Sequence, residues 1–276
     1  MKVGIIGLGL MGGSLALSLK NLPFIGKIVG SDHNPDHKRQ ALELGLVEEV
    51  VEFETIKTCD IIFLCVPVDG IISIISQLAN IKENTTVIDF GSTKEKIVNS
   101  IPSSIRKNVV AAHPMTGTEF FGPYAAVEGL YKDQVVVLCD LEESGEYQRK
   151  TAISIFDSLK MKISYMQASQ HDRHTAFISH MPHAISYSLA NTVIKQENRE
   201  AILTLAAGGF RSMSRLAKSS PAMWEDVFKQ NKDNVLEAIE LFEKELAAFK
   251  KHIKEESWGE LHKDMQDANT LYNIFS

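Results

Sequence analysis

The sequence predicts an α/β fold in which an N-terminal, doubly wound and mostly parallel sheet precedes an all-α C-terminal domain. Up to about residue 165, short β-branched runs alternate with helical patterns, which is typical of βαβ units. Beyond Ser169, strand-like runs cease and apolar residues recur at three- and four-residue spacing, which is typical of helices. We therefore predict two domains, residues 1–167 and residues 168–276.

Seven continuously apolar runs are predicted as strands, since a parallel sheet has helices on both faces and alternation is lost. They are Lys2–Ile6, Lys27–Ser31, Ile61–Val66, Thr86–Phe90, Val109–Ala112, Gln134–Leu138 and Lys162–Tyr165. In the C-terminal domain, helical spacing predicts helices over Thr175–Ile194, Arg199–Ala206, Ser212–Ala217 and, as one long helix, about Pro221–Lys254.

The predicted long helix carries more apolar surface than a small domain needs to cover one side. Its apolar residues are Val235, Leu236, Ile239, Leu241, Phe242, Leu246 and Phe249. A homodimer joined through the C-terminal helices explains this surface, and a self-contained helical bundle explains it equally well.

Composition indicates a globular, cytoplasmic protein. Of 276 residues, 44% are hydrophobic, and 29 Lys and Arg against 35 Asp and Glu give a net charge of −6, without a long basic run for nucleic acid. No apolar stretch reaches the roughly 20 residues that span a bilayer. The three cysteines, Cys59, Cys65 and Cys139, form no CxxC pair, which favours reduced thiols.

A glycine motif follows the first strand directly and opens an apolar helix. It consists of Gly7, Gly9 and Gly12 with Leu10 and Met11 between the last two, in the G-x-G-x-x-G pattern of a Rossmann-type nucleotide site. The first glycine makes the tight turn, the second lets a pyrophosphate approach the backbone, and the third lets helix and strand pack closely. The helix start then offers free N–H groups to the phosphates.

An acidic residue stands where this motif requires one. Asp32 ends the second strand about 20 residues after Gly12, where a carboxylate binds both ribose hydroxyls and repels a 2′-phosphate. The following His33-Asn34 supplies no arginine for a phosphate, so we predict NAD rather than NADP. Val66 and Pro67, at the end of the third predicted strand, are assigned to the same cofactor site.

Two further strand ends carry polar groups toward the same crevice. Ser92 stands where an N-cap would begin the helix over residues 94–101, so it is a cap or a substrate contact. His113 follows the strand Val109–Ala112 and precedes a loop containing proline and glycine. Oxidation of an alcohol needs a proton acceptor as hydride leaves carbon, and a neutral histidine has a suitable pKa. His113 is therefore the candidate base.

Five segments together resemble the prephenate dehydrogenase family. They are GLGLMGGS, DFGSTK, AHPMTGTEFFG, SHMPH and GGFRSMSRLAKSSPAMW, and the resemblance runs in this order from residue 4 to about residue 228. It implies oxidative decarboxylation of prephenate to 4-hydroxyphenylpyruvate and CO2 with NAD, in tyrosine biosynthesis, by a homodimer. It also leads us to expect a monofunctional enzyme without a fused chorismate mutase.

The resemblance assigns roles to individual residues. His113 matches the family's catalytic histidine, Ser92 the serine that orients it and contacts the substrate hydroxyl, and Arg215 the arginine that holds a substrate carboxylate. Further substrate-pocket positions are matched by His183, Thr118, Gly208 and Trp224. Arg211 departs from the expected pattern and is either a second carboxylate partner or a surface ion pair.

Several different functions remain compatible with the sequence. The histidines at 171, 174, 180 and 183 suggest a metal site, but on one helix the first and second pairs point to nearly opposite faces, so we predict no metal. Lys218 would be the catalytic group of a β-hydroxyacid dehydrogenase, against which the loop after His113 argues. A pyrroline carboxylate reductase, an arogenate dehydrogenase and a non-catalytic NAD-binding protein are also compatible with the predicted fold.

Overall fold

Eight strands form one sheet in the computed structural model, which describes residues 1–274. In chain order they are β1 (Lys2–Ile6), β2 (Lys27–Ser31), β3 (Glu49–Val50), β4 (Ile61–Leu64), β5 (Thr86–Asp89), β6 (Val109–Pro114), β7 (Val135–Cys139) and β8 (Lys162–Met166). Their order in the sheet is β3-β2-β1-β4-β5-β6-β7-β8. All neighbours pair in parallel except β6 and β7, which are antiparallel.

All seven predicted strands are present, with ends that differ by at most two residues from the predicted ones. The eighth, β3, lies at the sheet edge and was missed because two residues are too short to show a pattern. The strand that carries His113 continues to Pro114, so this histidine lies within β6 and not after it.

Helices cover both faces of the sheet, as predicted. They are α1 (Leu10–Leu19), α2 (Pro35–Glu43), α3 (Phe53–Ile56), α4 (Val68–Gln77), α5 (Glu95–Ser100) and α6 (Glu146–Ser158). On one face, Val3 and Ile5 of β1 share a core with Phe156 of α6. On the other face, Ile62 of β4 shares a core with Ile71 of α4. Successive strand residues face opposite sides, which explains why each strand is apolar throughout.

The chain after β8 is helical, as predicted. Its helices are α7 (Ala168–Thr175), α8 (Met181–Ile194), α9 (Arg199–Thr204), α10 (Gly208–Ser214), α11 (Pro221–Gln230), α12 (Lys232–Lys254) and α13 (Trp258–Asn269), with a π-helical turn over Ala176–His180 and a 3₁₀ turn over Arg215–Lys218. The prediction of one helix from Pro221 to Lys254 was wrong. Asn231, with φ −114° and ψ 31°, leaves the helical conformation and separates α11 from α12.

The chain divides into two compact units, Met1–Asn231 and the residues from Lys232 onward. The first unit contains the sheet together with α1 to α11, and the second contains α12 and α13. Within the second unit, His252 Nε2 lies 3.5 Å from Asp264 Oδ2. The division after residue 167 stays a prediction.

Helix α12 has 23 residues and is the longest helix in the described chain. Lysine and glutamate recur along its whole length, so its sequence is far from uniformly apolar. Across residues 1–274, no helix combines the length and the apolar character that crossing a membrane requires.

Candidate active site

The candidate residues meet at one edge of the sheet. The ends of β2, β1, β4 and β5 are aligned in the sheet, because Ser31, Ile6, Leu64 and Asp89 pair in that order. Asp89 also pairs with Ala111 of β6. These strands are parallel, so the segments that follow their aligned ends leave the sheet at its carboxyl edge. Ligands of open α/β sheets bind at this edge.

The glycine motif forms a tight loop at this edge. Gly7 has φ +93°, which favours glycine, and a Cβ on it would overlap the Cys65 carbonyl oxygen. A Cβ on Gly12 would overlap the Gly7 carbonyl oxygen. Gly9 differs, because apart from its chain neighbours no atom lies closer than 3.9 Å to the position of its Cβ. The free space beside Gly9 fits a pyrophosphate that approaches the backbone.

Helix α1 begins directly after this space. Leu10 and Met11 are its first two residues, and their N–H groups belong to the helix start, which lacks intrahelical acceptors. Val66 contacts the glycine loop, since its Cγ1 would lie 2.8 Å from a Cβ on Gly7. Pro67 is the N-cap of α4. The predicted cofactor residues of β1, α1 and β4 thus surround one loop.

Asp32 is held as an acceptor at the end of β2. Its side chain is buried and accepts 2.8 Å hydrogen bonds from the backbone N–H groups of Leu8 and Asn34. His37 Nδ1 lies 3.4 Å from Asp32 Oδ2. The bond from Leu8 joins the carboxylate to the glycine loop. Its role in binding ribose stays a prediction.

His113 belongs to a hydrogen-bonded chain of three side chains. Its Nδ1 lies 2.8 Å from Nε2 of His171 on α7, and Nδ1 of His171 lies 2.8 Å from Asp172 Oδ1. His171 and Asp172 are buried, whereas His113 is only partly buried. Within residues 1–274, Nε2 of His113 has no partner, so this nitrogen is free for a ligand.

Asp172 also caps α5, which corrects the expectation that Ser92 would do so. Its Oδ1 accepts from the Lys94 N–H at 2.7 Å, and its Oδ2 accepts from the Glu95 N–H at 2.9 Å. Helix α5 starts at Glu95 with Lys94 as N-cap, later than the predicted start. Ser92 is partly buried in the loop between β5 and α5, and the described chain contains no hydrogen bond from it to His113. The prediction that Ser92 orients this histidine stays a prediction.

A buried ion pair lies behind the same loop. Lys94 Nζ pairs with Asp89 Oδ1 and donates to the Ala112 carbonyl at 2.9 Å, and neither charged side chain is exposed. Asp89 Oδ1 also accepts from the Gly91 N–H at 3.0 Å. The pair thus joins the end of β5 to the residue before His113 in β6.

Trp224 of α11 stacks on His183 of α8, with ring centroids 3.5 Å apart. Nδ1 of His183 donates to the Ser179 carbonyl at 2.9 Å. Trp224 is buried, and its Nε1 has no hydrogen-bond partner among the described residues. His180, 5.9 Å from Trp224 between ring centroids, accepts at Nδ1 from the Asn231 amide at 3.1 Å.

Arg215 lies beside the loop that follows His113. Its Nη1 lies 3.9 Å from Glu119 Oε2, and 57% of its side chain is exposed. Thr118 is exposed in that loop and accepts from the Phe120 N–H at 3.2 Å. Gly208 begins α10 at the surface. Arg211 Nε donates to the Ala206 carbonyl at 3.3 Å, so its main contact is with backbone.

Burial keeps the histidines of this region neutral near pH 7. It lowers the pKa of His113 well below 6.5, and the nearby His171, Lys94 and His180 lower it further. Burial also lowers the pKa of His171, against the opposing effect of Asp172, and lowers that of His180 to about 4. A neutral imidazole with a free nitrogen accepts a proton, as a general base must.

Two family models match almost the whole chain. The nucleotide-binding domain of prephenate dehydrogenase matches residues 15–165, and the dimerization domain of prephenate dehydrogenase matches residues 167–267. The chain belongs to the prephenate dehydrogenase family. This confirms the resemblance found in the sequence motifs and excludes a β-hydroxyacid dehydrogenase.

Relatives and solved structures agree with the family. A prephenate dehydrogenase of Bacillus subtilis is 30% identical over 278 residues, covering 98% of this chain and 72% of the relative. The crystal structure of a prephenate dehydrogenase from A. aeolicus with hydroxyphenyl propionate and NAD⁺ is 33% identical, with a TM-score of 0.92, and covers 100% of this chain and 98% of its own. An arogenate dehydrogenase from Synechocystis is 26% identical, with a TM-score of 0.80 and full coverage of both chains.

Sequence reasoning about this prephenate dehydrogenase family member missed the importance of His171 and Asp172. His171 was considered only as a metal ligand or a structural residue, because its contact with His113 depends on how distant parts of the chain pack together. The sequence did carry one signal, because a histidine and a carboxylate are adjacent at positions 171 and 172. In the described residues, no group of three or more His, Cys, Asp and Glu side chains has a metal-binding arrangement.

Proposed function

We propose that this chain catalyses the NAD-dependent oxidative decarboxylation of prephenate to 4-hydroxyphenylpyruvate and CO2 in tyrosine biosynthesis. It is an NAD-dependent dehydrogenase of the prephenate dehydrogenase family. One observation carries the proposal. His113 has a free Nε2 at the same edge of the sheet as a glycine loop with open space for a pyrophosphate.

The chemistry of prephenate suits these residues. NAD⁺, which the glycine loop and Asp32 would hold, would supply the hydride acceptor for the ring carbon that carries the hydroxyl group. His113 Nε2 takes the hydroxyl proton. Loss of this proton and of the hydride leaves a ketone conjugated with the two ring double bonds that flank the carbon bearing the ring carboxylate. The bond to that carboxylate then breaks, CO2 leaves, and its electron pair makes the ring aromatic with a phenolate oxygen. His113 returns the proton to this oxygen, so atoms and charge balance.

The remaining residues orient the substrate. Arg215 presents a largely exposed guanidinium, whose planar set of donors suits a substrate carboxylate. Trp224 offers a buried N–H that has no partner within residues 1–274, and His183 stacks against its ring. Thr118 and Gly208 complete the proposed substrate residues. Ser92, in the loop after β5, is proposed to orient His113 and to contact the substrate hydroxyl.

The position of Asp32 favours binding of NAD rather than NADP. Its carboxylate is buried, and backbone N–H groups hold it in place at the end of β2. A 2′-phosphate on the ribose would bring two like charges together, whereas free ribose hydroxyls can donate to it. The proposed cofactor residues are Gly7, Gly9, Leu10, Met11, Gly12, Asp32, Val66 and Pro67.

We also propose a cytoplasmic homodimer joined through the C-terminal helices. The description of residues 167–267 as a dimerization domain supports the dimer. So do the exposed apolar side chains of α12, namely Leu236, Leu241, Leu246, Phe249 and Ile253. Three free cysteines agree with a reducing compartment. We further propose that the substrate and dimerization domain begins at residue 168. The border between the two family models, which lies at residues 165–167, supports this.

Absorbance at 340 nm tests the proposed reaction. Purified protein receives prephenate or arogenate with NAD⁺ or NADP⁺, in all four combinations. We expect rapid reduction with prephenate and NAD⁺, and a fall of about 10²–10⁴-fold in turnover for His113→Asn with NAD⁺ binding retained. His262→Asn, at an exposed histidine of α13, is the control and keeps full turnover.

Arogenate is the second candidate substrate. The 26% identity to the arogenate dehydrogenase of Synechocystis, over the whole of both chains, favours testing it. Arogenate carries an amino group in place of the side-chain ketone, and the ring chemistry at His113 is the same. Faster turnover of arogenate than of prephenate would replace the proposed substrate, and no reduction in any combination would refute the proposed reaction.

A further inference from the structure

We propose that His171 and Asp172 are positioning residues that fix the proton of His113 on Nδ1 and thereby keep Nε2 as the proton acceptor. This inference deepens the proposed function and rests on it for the identity of the reaction. It concerns the three hydrogen-bonded side chains of Asp172, His171 and His113, which we call the histidine relay. The hydrogen-bonding role of each member determines that of the next, beginning with Asp172 as an acceptor.

Asp172 can only accept hydrogen bonds, because two backbone donors already point at it. The N–H of Lys94 lies 2.7 Å from Oδ1, and the N–H of Glu95 lies 2.9 Å from Oδ2. With the His171 contact, Oδ1 faces two donors and Oδ2 faces one. The buried carboxylate therefore acts as an acceptor toward each of these groups.

The acceptor state of Asp172 determines the tautomer of His171. Nδ1 of His171 lies 2.8 Å from Asp172 Oδ1, so this nitrogen must carry the proton and donate. Burial lowers the pKa of His171, which makes the doubly protonated ring unfavourable near neutral pH. A neutral ring with its proton on Nδ1 has a lone pair on Nε2.

That lone pair determines the tautomer of His113 in turn. Nε2 of His171 lies 2.8 Å from Nδ1 of His113, so Nδ1 of His113 must donate the proton in this bond. Nε2 of His113 is left as a lone pair that points away from the relay. During the reaction Nε2 gains and then returns the substrate proton, while the proton on Nδ1 stays in place and no proton moves along the relay.

The opposite tautomer would disable the base. With its proton on Nε2, His113 would present a donor to the substrate hydroxyl and two lone pairs would face each other at the His171 contact. In a serine-protease triad, the comparable loss of tautomer control lowers kcat by about 10⁴-fold. The relay in this chain lacks a direct carboxylate contact to the base, so we expect a smaller loss.

Two substitutions at His171 separate positioning from packing. In His171→Gln, the amide oxygen can accept from His113 and the amide nitrogen can donate to Asp172, in the same order as the imidazole. His171→Leu fills similar space but offers neither group. The control is His174→Leu on the same helix, because His174 is exposed.

Steady-state kinetics give the first measurement. We expect His171→Leu to lower kcat by about 10²–10³-fold. The KM for prephenate and the KM for NAD⁺ should both stay within about threefold of wild type. His171→Gln should recover kcat to within about tenfold of wild type, and His174→Leu should leave it unchanged. A kcat of His171→Leu within threefold of wild type would overturn the positioning role. So would equal losses in the leucine and glutamine variants, which would indicate packing alone.

Nitrogen-15 NMR of the histidine-labelled enzyme gives the second measurement and needs no substrate. The His113 signals are assigned by their loss in His113→Asn. We expect a neutral ring with its proton on Nδ1 in wild type and in His171→Gln, and a mixture of tautomers in His171→Leu. A proton on Nε2 in the wild type refutes the relay whatever the enzyme turns over. If no substrate is oxidised but the spectra agree, the proposed function fails and the tautomer assignment stands.

Discussion

Replacement of Lys94 by methionine tests how strongly the buried ion pair supports the catalytic edge. In the wild type both Lys94 and Asp89 are fully buried, and Lys94 donates to Asp89 and to the Ala112 carbonyl. Methionine keeps much of the side-chain volume but leaves the Asp89 carboxylate with only backbone donors. Breaking a buried pair in this way typically costs about 3–5 kcal/mol of folding stability, because one buried charge is left uncompensated.

The loss of folding stability in Lys94→Met should increase with pH. Burial raises the pKa of Asp89 in the folded chain, and removal of Lys94 removes the main opposing effect. A carboxyl group whose folded pKa is raised favours the folded state at low pH and loses that advantage as the pH rises. The destabilisation by Lys94→Met should therefore be larger at pH 7.5 than at pH 5.

Urea denaturation followed by circular dichroism measures the free energy of unfolding at both pH values. The double variant Asp89→Asn/Lys94→Met removes both charges and should recover most of the lost stability, which keeps the test usable if Lys94→Met alone unfolds. Lys150→Met is the matched control, because Lys150 pairs with Glu146 at 2.6 Å with both side chains more than 70% exposed. It should change stability by less than about 1 kcal/mol.

Two results would refute this role of the buried pair. In the first, Lys94→Met lowers the free energy of unfolding no more than Lys150→Met does. In the second, the double variant is as unstable as Lys94→Met. Either result would mean that the Asp89 charge is not confined to a dry site. Loss of turnover in the stable double variant would add that the pair positions the loop carrying Ser92, beyond its effect on folding.

Three further predictions concern the cofactor, acid stability and the substrate. Gly9→Ala should shift the melting temperature by less than about 2 °C yet weaken NAD⁺ binding at least about tenfold by calorimetry, whereas Gly12→Ala should lower the melting temperature by more than about 5 °C. The pKa of His180 is about 4 when folded and about 6.5 when unfolded, so its stability contribution is complete above pH 6.5 and lost as the pH falls toward 4. His180→Gln should therefore reduce the stability difference between pH 7 and pH 4 by about 3 kcal/mol in urea titrations, and an unchanged difference would contradict this. Arg215→Ala should raise the KM for prephenate by about 10–100-fold in initial-rate assays, and an unchanged KM would remove it from the pocket.

Local patterns were sufficient to predict the strands of the sheet, except β3, and the tight glycine loop after β1. The glycine spacing, the preceding strand and Asp32 are all encoded within one βαβ segment, so the structure places them as predicted. Strand β3 was missed because its two residues, Glu49 and Val50, pair at the sheet edge without any periodic pattern. The antiparallel direction of β7 depends on the path of the preceding loop, which no local pattern records.

The helix break at Asn231 shows what sequence periodicity leaves out. Val235 follows Phe228 by seven residues, about two helical turns, and the polar residues between them include no glycine or proline, so the pattern predicts one helix. In the structure the Asn231 amide donates to the Asp172 backbone carbonyl at 2.6 Å and to His180 Nδ1 at 3.1 Å. These partners lie more than 50 residues earlier in the chain, and satisfying buried polar groups outweighs continuing one helix.

This break also explains where the first compact unit ends. Asp172 uses its carboxylate to cap α5 and to hold His171, and its backbone carbonyl accepts from Asn231. Asn231, the last residue of the first unit, is thus hydrogen-bonded to Asp172, the first member of the histidine relay. It follows that α7 to α11, with His183, Arg215 and Trp224, fold together with the sheet edge that holds His113. Substitution of Asn231 should therefore affect kcat through the relay, although Asn231 itself lies outside the proposed substrate pocket.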